Sequence, residues 1–195
     1  MFYTDSNREL TRSAINNTPR YRPSDDTYLL LDSLAGYRGK SALEIGVGSG
    51  FILRELGKRF SFVMGTDIDF KSLSFCNQLI GMRTDLVCCD GVRALTYVQK
   101  FDLIVSNPPY LPFEVNDIYD RTIYGGTNGS DMALEFVKSA INLLNQHGAI
   151  LILLSSLSDL APFYMKVKSL GLFRKTIAEK KLFFESLSVE EIRIS

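Results

Sequence analysis

Between residues 41 and 170 this chain alternates short apolar runs with stretches of helical periodicity, and that alternation constrains its fold more than any other feature. Apolar segments at 41–45 (SALEI), 62–68, 86–89, 101–106 and 148–155 (GAILILLS) have the length and composition of buried strands. Helical patterns separate them at 49–60, with Ile52, Leu53 and Leu56 on one face, and at 70–80, ending before Gly81. Two more follow at 131–145 and at 159–170, the last stopping at Gly171. Repeated strand–helix–strand predicts right-handed crossovers and a mostly parallel sheet with helices on both faces. After residue 174 the pattern changes: KTIAEKKLFF and LSVEEIRIS are extended stretches close together, an antiparallel hairpin. The 195 residues read as one domain, 1–195. Ligands of such sheets bind at the carboxyl edge of the strands, and every motif below falls there.

Charge narrows the function. Lys and Arg together number 22, as do Asp and Glu, so the net charge is zero. That balance speaks against a chain whose main task is gripping nucleic acid. No apolar run has the length of a membrane span, and MFYTDSNREL lacks the apolar core of a signal peptide. Cys76, Cys88 and Cys89 form no CxxC pair; they read as reduced core filler in a cytoplasmic protein. With a single histidine, His147, read as a turn residue, no metal site is expected. Lys180 and Lys181 read as a solvated face, and Ser24 as the N-cap of a helix begun by Asp25 and Asp26.

EIGVGSG, residues 44–50, joins the first strand to the first helix of the alternation. Gly46, Gly48 and Gly50 allow a sharp turn and a close ligand approach. The spacing is GxGxG; the last glycine of the dinucleotide fingerprint would fall at Phe51, and the GK[ST] of a phosphate loop is absent. Asp67 in TDID lies about twenty residues on, where a carboxylate can accept from both ribose hydroxyls. Asp90 in CCDG ends the third strand, placed to meet an adenine amino group. Singly, each aspartate is equally a capping or turn residue. Together they describe an adenosine pocket without a phosphate clamp, which suits S-adenosylmethionine.

The fourth strand leaves through Asn107, Pro108, Pro109 and Tyr110. These residue types fit a methyl acceptor that is a planar nitrogen, with its lone pair delocalised and little nucleophilicity. The Asn107 side-chain oxygen and the Pro108 carbonyl can accept its two N–H bonds, raising electron density as positive charge develops. The prolines stiffen that carbonyl's backbone, and Tyr110 offers a face for stacking. A bland reading, a proline-rich strand exit with Asn107 in a turn, fits worse because the glycine loop and both aspartates lie upstream.

YRPSDDTYLLLDSL (21–34), LEIGVGSG, TDID, NPPYLP, YGGTNGSDM (124–132) and ESLSVEEI (185–192) resemble the class I methyltransferases. In detail they resemble the HemK-like protein-(glutamine-N5) methyltransferases, in the short eukaryal and archaeal branch that acts on class 1 translation release factors. The resemblance implies a Rossmann-like sheet of order 3-2-1-4-5-7-6 and an N-terminal segment, 1–35, covering the cofactor. It implies S-adenosylmethionine contacts by Thr27, Glu44, Gly46, Asp67, Asp90 and Asn107, and N5-methylation of the glutamine of a Gly-Gly-Gln motif held by 107–110. It further implies a small zinc-binding activator subunit. Tyr21 is a candidate to close over the cofactor, and the glycines of 124–130 fit either a mobile lid or a static turn. Two other functions are open: an adenine-N6 methyltransferase on DNA or RNA, which uses a similar motif, and a non-catalytic adaptor that binds cofactor.

Overall fold

Leu103, Ile104 and Val105, consecutive on one strand, are all sealed from solvent. Strand geometry sends neighbouring side chains to opposite faces, so both faces of the sheet are covered. The computed structural model describes residues 23–77, 84–95, 100–113 and 123–194. Its strands are β1 (Gly39–Ile45), β2 (Phe60–Asp67), β3 (Thr84–Cys88), β4 (Phe101–Ser106), β5 (Leu144–Ser155), β6 (Leu172–Lys181) and β7 (Ser186–Ile194). They form one seven-stranded sheet in the order β3-β2-β1-β4-β5-β7-β6. Pairing is parallel from β3 through β5, and β7 lies antiparallel between β5 and β6.

Helices α1 (Asp25–Ser33), α2 (Phe51–Leu56) and α3 (Phe70–Cys76) cover one face; α4 (Asp131–Ala140) and α5 (Ala161–Ser169) cover the other. Leu30, Leu53, Leu56 and Leu73 pack with Leu103 and Val105 on the first. Val137, Ala140, Phe163 and Val167 pack with Ile104 and Ile150 on the second. This is the sheet, order and hairpin that the sequence patterns and the family resemblance implied.

The differences have local causes. The helix expected over 131–145 stops at Ala140, passes through one tight turn, Ile141–Leu143, and enters β5 at Leu144. There the Asn145 amide donates to Asp102 on the adjoining strand, and the register between β4 and β5 shifts to admit the extra residues. His147 is therefore an exposed strand residue rather than a turn residue, and its carbonyl accepts from Arg193. The helix expected over 49–60 is shorter, because Phe60 already belongs to β2. The one expected over 70–80 ends at Cys76, and the stop at Gly81 lies outside the described residues.

Ser24 holds the N-cap position, yet its hydroxyl donates to Asp26 instead of accepting from a helix amide. Lys180 is no free solvated charge: its Nζ sits 2.8 Å from Asp25 Oδ1, tying the hairpin to α1. The cysteines divide, with Cys76 buried, Cys89 half-buried and Cys88 exposed, so only Cys76 fills the core. At the tip of the hairpin Leu182 donates to the Glu185 carbonyl, closing a turn whose central residues, Phe183 and Phe184, are 92% and 87% exposed.

Gly65 on β2 leaves room for α2. A Cβ there would lie 2.5 Å from Val47 Cγ1 and 3.1 Å from Leu53 Cδ1. Gly65→Ala therefore forces the glycine loop and α2 outward, at a cost of about 1–3 kcal/mol, typical of overpacking. An unfolding free energy lowered by that amount, read in urea as a lower midpoint with the slope unchanged, is the expected result.

Candidate active site

The carboxyl ends of β1, β2, β3 and β4 open onto one cleft of about 590 Å³, a size usual for small-molecule sites. Thr27, Glu44, Gly46, Gly48, Asp67, Asp90 and the run 107–110 all line it. Gly50 stands behind the wall: a Cβ on it would lie 2.8 Å from Cys76 Sγ. All but one of the sequence-chosen residues are thus brought together. Tyr21 lies outside the described residues.

The glycine loop is held by the neighbouring strand. Gly46 and Val47 donate to the Thr66 carbonyl at 2.8 and 3.1 Å, and Gly48 donates to Asp67 Oδ2 at 2.9 Å. Gly46 has φ +79 and Gly48 φ +47, conformations that side chains resist. A Cβ built on Gly46 meets nothing within 4 Å, so the backbone there is bare toward open space.

Asp67 also accepts from the Asp69 amide at 2.8 Å. A carboxylate has about four lone-pair sites, so two backbone bonds leave acceptor capacity for a ribose diol. Burial raises its pKa, and the amides of Asp69 and Gly48 oppose that rise. Asp90 pairs with Arg93 at 2.9 Å, and Arg93 also reaches Glu135 at 2.6 Å.

Glu44 is 2% exposed, and its Oε2 has no hydrogen-bond partner among the described residues. Burial, followed by the charge of Asp67, holds its pKa well above the ordinary value. An orphaned polar atom in a cleft, beside a bare glycine backbone and a half-buried carboxylate, fits a nucleoside with hydroxyl and cationic groups.

On the far side, Ser106 Oγ donates to the Ile45 carbonyl at 2.9 Å, fastening the end of β4 to β1. Asn107 Nδ2 donates to Asp26 Oδ2 at 3.2 Å. The Tyr110 carbonyl accepts from Ser158 Oγ at 2.7 Å. Tyr110 itself is half-buried, and burial, then the charges of Asp26 and Glu185, push its hydroxyl pKa up to about 12.

The segment 124–130 is a turn hydrogen-bonded to this exit: Gly125 donates to Leu111 at 2.9 Å, and Phe113 donates to Gly126 at 3.0 Å. A Cβ on Gly125 would come within 2.5 Å of the Pro109 carbonyl, so only glycine lets the turn sit beneath the prolines.

Sequence reasoning passed over Asp26 and Glu185, which also line the cleft. Asp26 was read only as the start of a helix, although it adjoins Thr27. Glu185 opens the ESLSVEEI segment and accepts from Ser155 Oγ at the end of β5. A carboxylate directly before the last strand was the available signal.

A family model described as Eco57I restriction-modification methylase matches residues 68–187. A Methanocaldococcus jannaschii protein named as a protein N5-glutamine methyltransferase is 32% identical over 177 residues, spanning 87% of this chain and 89% of the relative. The mouse methyltransferase HEMK2 is 30% identical, over 87% of each chain. Among solved structures, the E. cuniculi Mtq2–Trm112 complex responsible for methylation of the eRF1 translation termination factor matches with a TM-score of 0.73. Identity is 25%, over 90% of this chain and 98% of the other.

The raised pKa of Glu44 has a stability consequence. Because the fold favours the protonated acid, the stability it contributes is fully present below 4.5 and is lost as pH rises toward its elevated folded value. Glu44→Gln removes that loss. Ligand-free Glu44→Gln is expected to melt above the parent at pH 8 and with it at pH 4, measured by differential scanning calorimetry.

Proposed function

This chain belongs to the HemK-like protein-(glutamine-N5) methyltransferases, and we propose that it methylates N5 of the glutamine in the Gly-Gly-Gln motif of a class 1 translation release factor. The observation that carries this reading is the placement of Asn107–Tyr110 in the same cleft as the glycine loop, Glu44 and Asp67. S-adenosylmethionine, when bound, supplies a methyl group on a positively charged sulfur that departs as a neutral thioether.

Asp67 accepts the ribose hydroxyls, Asp90 meets the adenine amino group, and Thr27, Glu44 and the glycine-loop backbone receive the remainder. Asn107 and the Pro108 carbonyl take the two N–H bonds of the acceptor carboxamide and turn its lone pair toward the methyl group. As the nitrogen acquires positive charge, those two oxygens stabilise it. The nitrogen then gives up one proton to water. Pro108 and Pro109 keep the carbonyl aimed before the acceptor arrives, so no ordering is needed at reaction.

The match to the Eco57I methylase model spans 68–187, including residues 107–110, and favours a second reading, an adenine-N6 methyltransferase on DNA or RNA. Charge separates the two. Asp26 and Glu185 lie at the acceptor end, close enough to act on the Tyr110 hydroxyl. Carboxylates there repel phosphate and leave a peptide loop untroubled. The solved Mtq2 is complexed with Trm112. By extension, a small zinc-binding activator subunit belongs with this chain as well, in the cytoplasm.

Labelled cofactor offered with release factor, with its Gln→Ala variant and with DNA, each with and without the partner subunit, tests the reading. Label is expected on the release factor alone; label on DNA alone would reverse the ranking. Asn107→Ala should abolish turnover while cofactor affinity stays within about tenfold, roughly 1.4 kcal/mol. Asp67→Ala should weaken cofactor binding by titration calorimetry without removing the acceptor site.

A further inference from the structure

A primary amide is nearly symmetric in shape, and its two ends carry opposite chemistry: one donates, the other accepts. For Asn107 to hold an acceptor N–H, its oxygen must face the acceptor and its nitrogen must face away. Something has to enforce that choice.

Asp26 is placed to do so. It is 4% exposed, at the start of α1. Its Oδ1 accepts from Ser24 Oγ at 2.7 Å, from Thr27 Oγ1 at 3.2 Å and from the Thr27 amide. Its Oδ2 accepts from Asn107 Nδ2 at 3.2 Å, across 81 residues of sequence. A carboxylate offers no donor, so it tolerates only the NH2 end of residue 107. The helix that carries it is anchored by Leu30 and Leu31 in the core and by the Lys180–Asp25 ion pair.

We propose that Asp26 is a positioning residue that fixes the rotamer of the Asn107 carboxamide, oxygen toward the acceptor, and polarises it. Negative charge behind the NH2 group increases electron density on the oxygen, as in other chained hydrogen bonds. The inference rests on the glutamine-methylation reading for its kinetic consequences and stands apart from it for the orientation itself.

Asp26→Asn keeps the size and can keep the Ser24 and Thr27 bonds, but it presents an NH2 to residue 107 and inverts the preferred amide orientation. Turnover on release factor is expected to fall about 10- to 100-fold, the worth of one hydrogen bond to a charged group. Melting temperature and cofactor affinity should stay at parental values. The exchanged pair, Asp26→Asn with Asn107→Asp, restores a donor facing a carboxylate and an oxygen facing the acceptor. It is expected to exceed Asn107→Asp alone by about tenfold or more; independent residues would multiply their losses instead.

Independently of turnover, nitrogen-15 spectra of the protein should show the two Asn107 amide protons well separated and slow to exchange, and Asp26→Asn should abolish this. Multiplied losses in the exchanged pair, a collapse of melting temperature in Asp26→Asn, or an unaltered Asn107 resonance would each overturn the proposal. If the parent methylates nothing while the resonances behave as expected, the substrate assignment fails and the orientation stands.

Discussion

A half-buried carboxylate tied to backbone amides is the constraint on which the cleft depends. Asp67 ends β2 and reaches across to Gly48, so the loop that follows β1 is held by the strand beside it. The bond demands a glycine loop tight enough to bring an amide within 2.9 Å. It also demands a residue at 65 without a side chain, because Val47 and Leu53 occupy that space. Burying the charge costs free energy, which the two amides offset in part. Glu44 sits beside it, and the negative charge of Asp67 adds to the burial that raises its pKa. The ligand-free cleft is thus electrostatically strained in a way that a nucleoside with donors and a positive charge relieves.

The acceptor end is built on a different plan. Asn107–Tyr110 receives little from its own strand beyond direction; its shape comes from partners distant in sequence. Ser158 takes the Tyr110 carbonyl, Gly125 underlies Pro109, and Asp26 meets Asn107. Those contacts come from the loop after β5, the turn before α4 and the first helix. Rigidity at the reacting group is therefore a tertiary property, whereas the glycine loop is local to one strand–helix junction.

That contrast explains what could be read from residues alone. β4 was placed at 101–106 because its apolar run is buried on both faces and bounded by prolines, and the structure has it there. The glycine loop, Asp67 and Asp90 were legible because each lies at the end of its strand or within two residues of it, and the alternation locates the strands. Asp26 and Glu185 were not legible as site residues, since their relevance arises only when α1 and the β6–β7 turn close over the sheet edge. The Lys180–Asp25 pair spans 155 residues and has no local signature. The early end of α4 at Ala140 has no local signature, because the apolar residues Ile141, Leu143 and Leu144 continue past it into β5.

Cys76 lies directly beneath the glycine loop, its sulfur 3.6 Å from the Gly48 carbonyl. Burial, then the charges of Glu44 and Asp67, push its thiol pKa up to about 12. Near neutrality the protonated thiol is strongly favoured, and the thiolate is the form that reacts. Cys76 is also buried, whereas Cys88 is exposed to reagents in solution. A fluorophore or spin label attached by maleimide chemistry would accordingly reach the exposed Cys88 on β3 before the buried Cys76.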